Sequence, residues 1–152
     1  MEEVTIRAFL SNYILICAVS AWASAQIIKF LLTLALTGKL RLERLTGSGG
    51  MPSSHTAMVC AATIAAARAE GMGSSIFAIA LVMACIVMYD ATGVRRQAGE
   101  QAKMINKITH ENDDDSDSDD LLKEKLGHTP LEVLGGALLG ILVAVSVGYI
   151  YY

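Results

Sequence analysis

Four long apolar stretches dominate this 152-residue chain and leave it few alternatives to folding in a membrane. The first runs from about Ala8 to Thr37, interrupted by Ser11, Asn12, Gln26 and Lys29. The second runs from Ser53 to Ala69 with Ala at most positions from Ala57 onward, the third from Ser74 to Tyr89, and the last from Pro130 to Tyr152. A spanning helix needs about 20 residues, with a range of about 17–25. The first and last stretches pass comfortably; the second and third are marginal, as expected of short, tilted or protein-buried helices. The expected fold is all-α: an integral membrane helical bundle of about four transmembrane helices, near 8–37, 53–69, 74–90 and 130–152. It forms a single membrane domain over 1–152, with a polar insertion at 91–129. The first stretch exceeds one crossing, so a break or projection from the bilayer is expected near Lys29. No Arg/Lys-rich start followed by a small-residue cleavage site is present, so no signal peptide is expected.

Charge supports the same class. Only 18% of residues are charged against 53% hydrophobic, whereas soluble domains average about 25% charged. The formal balance of −3 conceals an uneven distribution, because seven acids fall in the run from Glu111 to Asp120. Outside that run the body is mildly basic. This excludes an acidic disordered chain, a disulfide-rich secreted domain and a basic nucleic-acid binder. Cys17, Cys60 and Cys85 are odd in number, far apart and set in apolar runs. They read as packing residues, with no metal-ligand spacing.

With four crossings, the segments 38–52 and 90–129 share one side and the termini share the other. The first side carries nine Lys and Arg (Lys39, Arg41, Arg44, Arg95, Arg96, Lys103, Lys107, Lys123, Lys125) and the other carries Arg7 and Arg68. The positive-inside rule then places the long loops in the cytoplasm of a multi-pass cell-membrane protein. Gly136, Gly140, Ala144 and Gly148 recur every four residues, a small-residue stripe that lets another helix approach closely. The Ala-rich second stretch is its natural partner; a homodimer contact is the alternative. Arg95 to His110 reads as a polar helix on the membrane surface or on the bundle, with Ala98, Ala102, Ile105 and Ile108 on one side. The run from 111 to 120 reads as a solvated linker, and a calcium loop is disfavoured because the EF-hand glycine and terminal Glu are missing.

Four polar groups flank one face of this apolar chain. Gly47 to Ala57 places glycines, Pro52, Ser53 and Ser54 before a helix whose free N–H groups make an anion site, with His55 in its first turn. Ser53 acting only as a cap, with His55 in solvent, is the plainer reading. Asp90, Arg95 and Arg96 follow an apolar helix directly, and Arg presents a planar fork suited to phosphate. Thr129, Pro130 and Glu132 form a capping box, leaving His128 unexplained at a helix entrance. Glu132 could cap Thr129 or orient His128, and these roles compete. Lys29, one turn after Gln26, is costly at membrane depth unless it functions or snorkels. Two histidines, several cations and helix-start N–H donors make a kit for phosphoryl transfer: one His attacks phosphorus, the other protonates the leaving oxygen. No carboxylate cluster suggests a metal, and no cofactor is expected.

The blocks GGMPSSHTA, YDATGVRRQAGEQAKMIN and LKEKLGHTPLEVLGGALLG resemble the divergent PAP2 family, small membrane proteins related to acid phosphatases and vanadium haloperoxidases. The resemblance covers most of the chain from Gln26 to about Gly140. It implies a metal-independent phosphatase site acting on a lipid phosphate. By resemblance, His55 is the general acid, with Ser53 and Ser54 as phosphate binders. His128 is the nucleophile and Glu132 its orienting carboxylate. Arg95 or Arg96 and Lys29 would bind phosphate. Apart from the resemblance, Gln26 and Asp90 are candidates for support by their place beside these residues in the sequence. Ser54 and Glu132 depart from the Gly and Asp of ordinary PAP2 motifs, no Arg-Pro follows Lys29, and about thirty residues separate Arg96 from His128. The expected function is hydrolysis of a lipid phosphomonoester or diphosphate through a phosphohistidine. The alternative is a non-catalytic membrane protein that binds anionic lipid or a partner through its basic face.

Overall fold

The computed structural model describes residues 2–38, 50–112, 122, 124 and 126–151, and no strand occurs among them. Six helices follow in order: α1 (Glu2–Leu10), α2 (Tyr13–Thr37), α3 (Ser54–Glu70), α4 (Ser75–Thr92), α5 (Val94–Asn112) and α6 (Pro130–Tyr151). The basic residues Lys39, Arg41, Arg44, Lys123 and Lys125 and most of the acidic run, 113–120, lie outside the described residues.

Among the described residues three segments are long and apolar enough to cross a membrane: α2, the run from Ser75 that contains α4, and α6. With 17 residues, α3 is not among them, and at 1.5 Å per residue it is only ~25 Å long. Its place in the bundle explains its composition, because α3 packs against α2, α4 and α6. Ala57, Ala61 and Ala65 are fully buried there against Tyr13, Cys17, Ala21, Ala25 and Ala144. A helix surrounded by protein needs small side chains for close approach more than it needs bulk facing lipid. The helices facing outward carry the large residues instead, among them Ile79, Val82 and Ile86 of α4, and Leu134, Leu138 and Leu142 of α6, all exposed.

The glycine stripe of α6 is spent inside the chain. A Cβ on Gly136 would collide with the Ser53 carbonyl and press on Thr56, and one on Gly140 would meet the Ala57 carbonyl and Cys60. Gly136, Gly140, Ala144 and Gly148 are all buried. The same stripe is therefore not available to a second copy.

The first apolar stretch breaks at Ser11–Asn12, not near Lys29. Asn12 is the N-cap of α2, accepting from the Leu15 N–H at 3.1 Å, which satisfies one orphan donor of the new helix. From there α2 runs unbroken to Thr37, where Gly38 ends it in the left-handed conformation (φ 64°) and donates to the Leu34 carbonyl. Helices α3 and α6 run parallel to each other and antiparallel to α2. The end of α3 and the end of α6 meet the start of α2, with the Tyr151 hydroxyl donating to the Ser11 carbonyl at 2.6 Å and the Tyr13 and Tyr151 rings 5.1 Å apart. At the other end of the bundle the start of α3, the start of α6, the end of α4 and the later turns of α2 come together. All four polar groups singled out above fall there.

The expected α5 exists, but its sides are divided differently. Ala102 is buried whereas Ile105 and Ile108 are exposed. The buried face, Gly99, Ala102 and Asn106, is covered by the extended segment that leads to His128. Asn106 clasps that segment: its Nδ2 donates to the Leu122 carbonyl (2.8 Å) and to Glu124 Oε1 (2.9 Å), and its Oδ1 accepts from the Leu122 N–H (2.9 Å).

Candidate active site

His128 is held from three directions. Its N–H donates to the Ala91 carbonyl at 2.9 Å, tying it to the end of α4. Gly127, just before it, has φ 80° and lies so close to the Arg95–Arg96 backbone that no Cβ would fit, so this position requires glycine for both reasons. The ring is 5% exposed, and its Nδ1 lies 3.2 Å from Glu132 Oε2. That carboxylate oxygen also accepts from the Thr129 N–H at 2.9 Å, while the Thr129 hydroxyl accepts from the Glu132 N–H at 3.3 Å. The two roles weighed for Glu132 do not compete, because one oxygen performs both. A carboxylate on Nδ1 fixes the tautomer with its proton there and leaves the lone pair on Nε2.

Helix α3 starts alongside. Ser53 is fully buried and its Oγ accepts from the Thr56 N–H (3.4 Å) and the Thr56 hydroxyl (3.0 Å), so its hydroxyl is engaged as the helix N-cap. Its own N–H donates to the Glu132 carbonyl at 3.0 Å, binding the starts of α3 and α6 to each other. Lys29, only 4% exposed, reaches across from α2 and donates to Ser54 Oγ at 3.1 Å. Gln26 is buried one turn earlier on α2.

Two cavities meet at His128. The smaller, about 100 Å³, is lined by His55, Asp90, Arg95, Gly127 and His128 together with Val87, Ala91 and Leu126. It brings the two candidate histidines onto one space. The larger, about 530 Å³, is lined by the polar Lys29, Arg96, Glu100, His128, Thr129 and Glu132 and by the apolar Leu32, Leu36, Met51 and Leu126. This volume lies in the usual range of small-molecule sites, about 300–1,000 Å³, and the smaller one falls below it. The two arginines therefore separate. Arg95 pairs with Asp90 beside His55, whereas Arg96 lines the larger cavity with Lys29.

His55 stands in the first turn of α3 at the polar end of the bundle, outside the three apolar spans. It retains substantial exposure and is partly desolvated where it lines the smaller cavity. That burial, followed by the charges of Arg95, His128 and Lys29, pushes the imidazole below its ordinary value, with Asp90 pulling weakly the other way. Both causes penalise the imidazolium.

Of the residues marked in the sequence, Lys29, Ser54, His55, Asp90, Arg95, Arg96, His128 and Glu132 converge on this end of the bundle. Ser53 is there as a cap. Three supporting residues stand outside the groups marked in the sequence: Gly99 and Asn106, which together with Gly127 set the course of the chain into His128, and Glu100, which lines the larger cavity. Gly99 and Asn106 are poor helix formers inside a helix, and that was the signal available.

An all-helical, multi-pass membrane protein with a buried, carboxylate-held histidine at the polar end of its bundle is the class that fold and site define. The family model described as "Divergent PAP2 family" matches residues 10–143. The uncharacterized membrane protein YuiD of Bacillus subtilis (strain 168) is 40% identical over 154 residues, covering 93% of this chain and 98% of the relative. The chain belongs to the divergent PAP2 family. No solved structure matches it.

Proposed function

We propose that this chain is a membrane phosphatase that hydrolyses a lipid phosphomonoester or diphosphate through a phosphohistidine. His128 Nε2 attacks phosphorus; the P–N bond forms as the P–O bond to the lipid breaks, and His55 gives its proton to the leaving oxygen. Water then attacks the phosphohistidine, losing its proton to the now neutral His55. The P–N bond breaks and inorganic phosphate leaves. Lys29, Ser54, Arg96 and the N–H groups opening α3 stabilise charge on the equatorial oxygens. The lowered pKa of His55 suits this role, since an arriving phosphate offsets the surrounding cations and draws a proton onto the ring.

The observation that carries the reading is the Glu132–His128 contact beside the cavity that His128 shares with His55. The apolar wall of the larger cavity, Leu32, Leu36 and Met51, suits an amphiphilic substrate. The Lys/Arg imbalance along the sequence favours a cytoplasmic site with the termini opposite. A second reading, binding of anionic lipid without turnover, draws on the engagement of Arg95 by Asp90 and of Ser53 by its cap.

The test is phosphate release from phosphatidic acid and from a prenyl diphosphate by purified wild type and His128→Ala in detergent, with vanadate and with EDTA. Wild-type activity that is blocked by vanadate, indifferent to EDTA and lost in His128→Ala is expected, with an acid-labile phosphoenzyme trapped only in wild type. Activity surviving His128→Ala would remove the nucleophile assignment. Lipid binding with no turnover would establish the second reading.

A further inference from the structure

Helix α5 carries three distinct faces. One, Gly99, Ala102 and Asn106, is covered by the segment leading to His128. A second, roughly opposite the apolar side, carries the exposed Arg96, Lys103 and Lys107. The third is apolar and uncovered: Val94 is 61% exposed, Met104 69%, Ile105 50% and Ile108 60%. Val94, Ala98, Gln101, Ile105 and Ile108 follow one another at alternating steps of four and three residues, which aligns them in one stripe on a helix.

Two observations identify what covers that stripe. Only Gly93 separates α5 from α4, whose outward surface of Val82, Ile86 and Tyr89 is exposed and apolar, so the stripe begins one residue beyond a helix that faces lipid. On the other side of the site, α2 runs eight residues past Lys29, or ~12 Å, and Leu31, Leu32 and Leu36 are exposed along that extension. Apolar surface therefore extends past the level of His128 on both flanks. A helix with an apolar face, a lysine-bearing opposite face and direct linkage to a spanning helix fits the plane of the bilayer surface.

We propose that α5 is an interfacial helix that lays Val94, Met104, Ile105 and Ile108 into a phospholipid surface, with Lys103 and Lys107 at the level of anionic headgroups. Because the segment carrying His128 is bedded on the adjacent face of α5, this contact also fixes the site against the bilayer. The contact is independent of whether the site turns over a substrate.

Ile105→Trp in a Trp22→Phe background, reconstituted in vesicles, reads this directly, with Ile108→Trp as a second reporter on the same stripe. Strong quenching by dibrominated phosphatidylcholine and little by aqueous iodide is expected, and Lys103→Trp on the opposite face should show the reverse. Adding phosphatidylglycerol should deepen the quenching, and the double variant Lys103→Glu/Lys107→Glu should abolish that increment. Iodide quenching without bromine quenching at both stripe positions would overturn the proposal in favour of a water-exposed helix. Shielding from both quenchers would overturn it in favour of a protein partner or a second copy. A phosphatidylglycerol increment that survives the double variant would refute the assigned role of the lysines.

Discussion

Gly136→Ala tests whether the site depends on the closest approach in the bundle. An added Cβ would lie well inside 3.0 Å of the Ser53 carbonyl oxygen and at 3.0 Å from Thr56 Cβ. Neither neighbour can yield cheaply: one is backbone and the other belongs to a residue buried completely. Helix α6 must therefore retreat from α3 by a substantial part of an ångström. Forcing a methyl into a packed interface costs about 1–3 kcal/mol. The retreat also strains the 3.0 Å bond from the Ser53 N–H to the Glu132 carbonyl, which contributes about 1 kcal/mol. Together the expected loss is about 2–4 kcal/mol. The functional loss is larger in proportion, because Glu132 and His128 move with the start of α6 while His55 moves with α3. A misplacement near 1 Å can cost about 100-fold in rate. The control is the neighbouring Gly135→Ala, whose Cβ would meet the flexible tip of Met51 at 3.2 Å; it should leave both stability and turnover near wild type. Thermal unfolding in detergent measures the first quantity and vanadate-sensitive phosphate release the second. Equal behaviour of the two alanine variants would refute the claim that backbone contact between α3 and α6 sets the site.

Two further outcomes follow from His55. In the free protein, NMR titration of its ring should give a pKa below the ordinary value of about 6.5, and vanadate or phosphate should raise it; a value at or above 6.5 without ligand would contradict the desolvated, cation-rich environment. Because the folded-state pKa is the lower one, acidification through this window protonates the unfolded chain first, so this histidine's contribution to stability falls as pH drops. In Asp90→Asn the one carboxylate that raises His55 is gone, so the same titration should move further down; an upward move would show that Asp90 acts on His55 chiefly by holding Arg95 close to it.

What could be read from the sequence was what repeats or what is chemically out of place. The period-four small residues of α6 and the alanines of α3 encode their contact locally, so the pairing of the two helices was legible. Lys29, His55 and His128 stood out because an apolar chain has no cheap use for them. The break before α2 was also written in the sequence, as a Ser–Asn pair able to cap, but the length of the first stretch drew attention to Lys29 instead. The division between Arg95 and Arg96 was not legible, since neighbouring residues on a helix point about 100° apart and only the packing decides which cavity each reaches.

The same limit explains the supporting residues. Gly99, Asn106 and Gly127 owe their roles to chain segments that meet across a long separation in sequence. Asn106 bonds to Leu122 and Glu124, and Gly127 packs on Arg96. These contacts bring Arg96 and His128, about thirty residues apart in the sequence, to one place in the fold. Leu122 and Glu124 lie at Asn106, Leu126 at Gly99 and Gly127 against the Arg95–Arg96 backbone, an order that runs back along the buried face of α5. The position of His128 depends on Asn106 and on two glycines whose neighbours leave no room for a side chain.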